Sequence, residues 1–175
     1  LKAFFGFCVR EGLLSTSPFA KIIMPKIDKK LPTVLSDQEI AALLRACRTP
    51  RETAVFMLLL DTGLRAAECT RLDWGHFESA TGRVLVIKGK QRKDRVVFVG
   101  AETRKALVKL RVKQRKPGPE VPIFRSERAG ERLTVNGLEQ LLRRIGKRAD
   151  VKCAPHLLRR TFATRSLRAG MDIYT

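Results

Sequence analysis

Acidic side chains are scarce in this 175-residue chain: 17 Asp and Glu stand against 36 Lys and Arg, a formal net charge of +19. Such an excess repels itself and needs a polyanionic partner, nucleic acid first and an anionic membrane surface second. Aromatics are few as well, one Trp, one Tyr and nine Phe. That scarcity, with most rings at core-like positions, argues against an RNA-associated protein that stacks on bases. The four cysteines (Cys8, Cys47, Cys69 and Cys153) have no C-x-x-C pairing, and only His76 and His156 accompany them. No metal centre is therefore expected, and the thiols read as reduced and mostly buried. No apolar run approaches the roughly 20 residues that span a bilayer, and no basic-then-apolar stretch reads as a secretory leader. The expected setting is the cytoplasm, without a membrane.

What is present suits a folded domain. Apolar residues make up 44% of the chain, ordinary for a globular core, and this length holds one good domain with part of another. Basic residues are spread along the chain rather than gathered in a tail, so the binding surface belongs to the fold. The opening LKAFFGFCVREGLL sets Leu1, Phe4, Phe5, Cys8 and Val9 at helical spacing, with Gly12 as a stop. One apolar helix cannot bury itself, so it reads as the last helix of a domain whose beginning is missing. Prolines at 18, 25 and 32 with Lys21, Lys26, Lys29 and Lys30 then favour an extended, semi-rigid linker. Its lysines suit a phosphate backbone or plain solvent equally.

A capping box at Ser36-Asp37-Gln38-Glu39 opens the main domain, followed by a stripe of Ile40, Leu43, Leu44 and Cys47. The segment of about 51–61 is apolar almost all round and predicts the central core helix. A shorter helix of about 65–72 follows the Thr62-Gly63 break. The period then changes: RVLVIKG and DRVVFVG are β-branched runs that predict a hairpin. Between and beside them stand Lys88, Lys90, Arg92, Lys93 and Arg95. Helices return at about 101–115, at about 135–149 behind Thr134, and at about 156–169 after Pro155. The expected fold class is mainly α with a small antiparallel β-sheet (α+β).

An arginine after a helix stop, as Arg65 stands after Thr62-Gly63-Leu64, is on its own a solvated cation. His156 and Arg159 share a face at the start of the last helix, near the positive end of its dipole. Two cations there are unfavourable unless an anion joins them, and helix N-termini bind phosphate readily. Taken together, these segments resemble the tyrosine recombinase (phage integrase) family. TGLRAAECTRLDW is similar to its first arginine box, T-G-L-R-x-x-E-x-x-x-L-x-W. VIKGKQRKDRVVFVG resembles the hairpin that carries the catalytic lysine, matched by Lys90. PHLLRRTFAT resembles the H-x-x-R box and its T-F-A-T continuation. LPTVLSDQEIAALL is similar to the family's entry into the catalytic domain.

The resemblance implies a reaction. A tyrosine attacks a DNA phosphodiester, giving a 3′-phosphotyrosyl intermediate and a free 5′-hydroxyl that later attacks a partner strand. The bond energy is kept, so neither metal nor cofactor is required. Arg65 and Arg159 would stabilise charge on the non-bridging oxygens, because a planar guanidinium fork matches two oxygens at once. Lys90 would protonate the leaving oxygen, His156 would assist proton transfer, and Glu68 would orient the site. Lys26, Lys29, Lys30, Lys88, Arg92, Lys93, Arg95 and Arg160 would contact double-stranded DNA, and four copies would assemble on paired sites. The implied plan is the last helix of a core-binding domain over 1–17, a linker over 18–34, and a catalytic domain over 35–175. That domain would stop before the family's C-terminal helices and its nucleophile. Tyr174, the only tyrosine, precedes the expected place of the nucleophile and is not assigned that role, so this stretch alone would bind DNA without cleaving it. A non-enzymatic DNA-binding module accounts for the charge but not for the ordered boxes. A topoisomerase of related chemistry would differ in not pairing two sites.

Overall fold

A computed structural model describes residues 1–22, 33–87, 94–127 and 130–171. The chain divides into two units, Leu1–Leu31 and Pro32–Thr175. In the first, helix α1 (Lys2–Arg10) buries Cys8. Phe5 packs against Phe4 and Phe19 with ring centroids 5.3 and 5.4 Å away, while Phe4, Phe7 and Leu13 stay exposed.

The second unit is built around one helix. In α2 (Asp37–Ala46) the capping box forms as the sequence predicts: the Ser36 side chain accepts from the Glu39 N–H, and Glu39 accepts from the Ser36 N–H. Thr49 caps α3 (Pro50–Thr62), whose Pro50 sits where the absent N–H costs nothing. Ala54, Val55, Phe56, Leu58 and Leu59 of α3 are all fully buried. Around them pack α5 (Ala101–Lys113), α6 (Val135–Ala149) and α7 (Pro155–Arg168). Leu138, Leu141, Leu142 and Ile145 form the buried stripe of α6 that their spacing predicts. Among the described residues no helix is long and apolar enough to cross a membrane.

The sheet has three strands rather than a bare hairpin: β1 (Phe77–Glu78), β2 (Arg83–Val86) and β3 (Arg95–Phe98), antiparallel in that order. β1 is too short to leave a period in the sequence. The helix expected at 65–72 is only α4 (Ala66–Thr70), and a 3₁₀ turn at Trp74–His76 leads into β1. Register fixes which side chains face the core. Val84 opposes Val97, and Val86 opposes Arg95. Val84 and Val86 are buried, so Arg95 and Val97 lie on the inner face while Val96 and Phe98 face out. Residues 23–32, 88–93, 128–129 and 172–175 lie outside the described residues, and with them Lys26, Lys29, Lys30, Lys88, Lys90, Arg92, Lys93 and Tyr174.

Candidate active site

The T-G-L-R segment does two jobs at the end of α3. Gly63 terminates the helix in the left-handed conformation (φ 57°, ψ 25°), which glycine adopts without steric cost. Its carbonyl then accepts a hydrogen bond from Nη1 of Arg159, 96 positions later. Phe162, one turn beyond Arg159 on α7, lies so close to Gly63 that a Cβ there would collide with its ring. Two residues after Gly63, Arg65 leaves the chain at the mouth of the same cleft. The helix stop that makes Arg65 look like an ordinary solvated cation is the feature that brings Arg65 and Arg159 together.

Glu68 organises the remainder. It is 93% buried (side-chain exposure 7%). Its Oε2 accepts from the Arg65 backbone N–H (2.9 Å) and from Nη2 of Arg95 (2.8 Å), while Oε1 accepts from Nη1 of Arg65 (3.1 Å) and of Arg95 (3.0 Å). The three residues come from the start of α4 and the first position of β3. Burial by itself would raise the Glu68 carboxyl. The hydrogen bonds from Arg95 and Arg65, with the Arg95 charge, overcome it and hold the group at about 2. Hydrogen bonding to Glu68 in turn raises Arg95. Arg159 moves the other way: burial lowers it first, then repulsion from Arg65 and Arg95 outweighs attraction to Glu68.

Thr62, Gly63, Arg65, Asp94, Arg95, Val97, Arg159, Phe162 and Ala163 line a cleft of about 480 Å³. Among the described lining residues the guanidiniums of Arg65, Arg95 and Arg159 stand with the one carboxylate of Asp94, and Glu68 binds two of the three arginines from outside the lining. The surplus positive charge is held in a half-buried place, where an anion would relieve both the desolvation and the mutual repulsion. A second buried acid gives the contrast. Glu52 accepts from Arg148 Nη2 (2.7 Å) and the Arg48 N–H (2.7 Å), while Arg148 Nε donates to the Ala46 carbonyl (3.0 Å). That pair joins α6 to α3, and the Arg148 bond to Ala46 adds the end of α2.

The structure thus brings Arg65, Glu68 and Arg159 together. His156 stands one turn before Arg159 on α7, exposed and outside the lining of the cleft. Arg160 is likewise exposed, on a different side of α7 from Arg159. Lys90 lies outside the described residues. Arg95, which the sequence reading gives to DNA, has its guanidinium on Glu68. The available signal was strand alternation: Arg95 is two residues before Val97 in a β-branched run, so the two share a face.

Comparison with known proteins places the sequence and the fold. The phage integrase family matches over residues 33–175. The chain is 32% identical over 186 residues to the tyrosine recombinase XerC of Anoxybacillus flavithermus, covering 99% of this chain and 61% of that protein. It thus spans about three fifths of the length of the curated relatives it matches. The crystal structure of the XerA recombinase superposes with a TM-score of 0.75 at 32% identity, over 83% of this chain and 54% of that one. The XerH site-specific recombinase, crystallised with its difH substrate before cleavage, superposes with a TM-score of 0.69 at 26% identity, over 87% and 48%. The family match over residues 33–175 and the 32% identity to XerC show that this chain belongs to the phage integrase family.

Proposed function

We propose that the cleft between α4, β3 and α7 binds one phosphodiester of duplex DNA, and that the protein exchanges DNA strands at specific sites through a 3′-phosphotyrosyl intermediate. In this reading Arg65 and Arg159 hold the two non-bridging oxygens. As the tyrosine oxygen bonds to phosphorus and the 5′-oxygen leaves, charge gathers on those oxygens, and guanidiniums already fixed in place stabilise it without reorganising. Lys90 delivers the proton to the leaving 5′-oxygen. His156, exposed one turn before Arg159, assists the transfer of the proton that leaves the tyrosine hydroxyl. Four copies assemble on paired sites in the cytoplasm. The nucleophile is a tyrosine hydroxyl, and Tyr174 is not assigned to it.

One observation carries the reading. Arg65 and Arg159, 94 positions apart (159 − 65), line one cleft whose positive charge exceeds what its carboxylates neutralise. A merely DNA-coating domain has no reason to assemble repelling guanidiniums in a half-buried place. The test is duplex binding by fluorescence anisotropy. Arg65→Ala and Arg159→Ala should each weaken binding about tenfold or more, the worth of a charge-assisted hydrogen bond. Arg45→Ala, which removes an equal charge from the exposed face of α2, should change it far less. Equal losses for all three would mean that only net charge matters, and the active-site reading would fall.

A further inference from the structure

We propose that Arg95 is a positioning residue for Arg65, acting through the carboxylate that the two share. The inference rests on the recombinase reading of the cleft and gives Arg95, which the sequence reading assigned to DNA contact, a different role. A carboxylate has about four lone-pair positions, and Glu68 has one bond from each arginine on each oxygen. Arg95 closes both oxygens with its two Nη groups, in the bidentate arrangement that fixes orientation as well as distance. With Arg95 in place the carboxylate cannot turn about its last torsion without breaking two charge-assisted bonds. The Oε1 that receives the Arg65 guanidinium therefore has one position.

Two further features separate this from an ordinary structural ion pair. Arg95 is the first residue of β3 and opposes Val86, the last residue of β2. The bond to Glu68 therefore ties the start of β3 to the helix start that bears Arg65. Arg95 also keeps 36% of its side chain exposed, in the lining of the cleft. The Arg148–Glu52 pair, by contrast, joins α6 to α3, and neither residue is in the lining of this cleft. Arg95 therefore sets the direction of the Arg65 guanidinium before any phosphate arrives.

The test follows the side-chain Nε–Hε signal of Arg65 by NMR in the protein, in Arg95→Ala and in Arg95→Lys. The core methyl signals of Leu58, Leu59 and Leu141 report whether the fold persists. In the unsubstituted protein Arg65 should be ordered. Both substitutions should give it the fast motion of an exposed arginine while the core methyls stay in place. Lysine should fail to rescue, since it keeps the charge but not the fork. An Arg65 signal unchanged in Arg95→Lys, or one lost only together with the core methyls, overturns the proposal. Titration with inorganic phosphate separates the two claims. If phosphate moves neither Arg65 nor Arg159 in the unsubstituted protein, the reading of the cleft fails, and the order of Arg65 still decides the role of Arg95. If it does move them, Arg95→Lys should weaken phosphate about tenfold.

Discussion

Four arginine N–H groups converge on the two oxygens of Glu68, and this makes the site sensitive to acid in a definite direction. The carboxyl is held at about 2 in the folded protein against an ordinary value near 4.5. A group lowered in this way contributes stability that is fully present above its unfolded value and lost as pH falls through the folded one. The window is thus about pH 4.5 down to about 2. The contribution is on the order of 2 kcal/mol, discounted because both guanidiniums keep contact with water. Urea unfolding of the protein and of Glu68→Gln should show the protein more stable at pH 6, with the difference shrinking steadily below pH 4.5. A difference that stays constant down to pH 2.5 would mean the carboxylate is not held by its charge. Half of this arrangement is legible in the sequence, because Arg65 and Glu68 are three apart at a helix start. The other half is not, because Arg95 is 27 positions from Glu68 and reaches it only through the register of β3 against β2.

Between elements, the decisive junction is where α3 stops and α7 crosses it. Gly63 has a positive φ, gives its carbonyl to Arg159 and lies against Phe162. Gly63→Ala should therefore do more than add left-handed strain of about 1 kcal/mol. The new methyl must push the Phe162 ring, and with it the turn of α7 that holds Arg159. The expected loss is about 2–4 kcal/mol by thermal or urea unfolding, with weaker DNA binding in the fraction that stays folded. Adding Phe162→Ala should return part of that stability, since the two residues are coupled through one contact. Strictly additive losses would show that the ring is not what the methyl meets. A second tie fixes the other side of α7: Thr161 Oγ1 accepts from the Leu35 N–H (3.0 Å) and donates to the Leu157 carbonyl (2.9 Å). Thr161→Val keeps the shape but orphans a buried N–H, and should cost about 1–3 kcal/mol. The helices themselves are legible because caps and a 3.6-residue period are local signals. β1 and the 3₁₀ turn at Trp74–His76 are not. They depend on distant partners: Trp74 donates its backbone N–H to the Val121 carbonyl (3.0 Å) and its indole N–H to Gln114 (2.9 Å).

For the whole chain, on the function proposed above, 36 basic against 17 acidic residues would set the strength of DNA binding, while the cleft would set where a phosphate is gripped. These contributions differ in how they answer to salt. Each phosphate neutralised by an exposed cation releases counterions, so log affinity should fall with log salt by about 0.9 for each. Contact with six to ten phosphates would lose roughly 10³–10⁵ in affinity between 50 and 200 mM salt. An exposed cation such as Arg143 or Lys147 on α6 contributes little beyond this release, so its removal should lower the slope and cost little affinity at high salt. Arg159 is different, because it is half-buried, pinned on the Gly63 carbonyl and repelled by its neighbours until an anion arrives. Its substitution by alanine should change the slope by no more than about one phosphate's worth while lowering affinity at every salt concentration, high salt included. Salt titrations of the protein, Lys147→Ala and Arg159→Ala on one duplex would separate the two behaviours. Parallel losses that vanish together at high salt would mean that Arg159 is only one more surface charge, and that the cleft grips no phosphate.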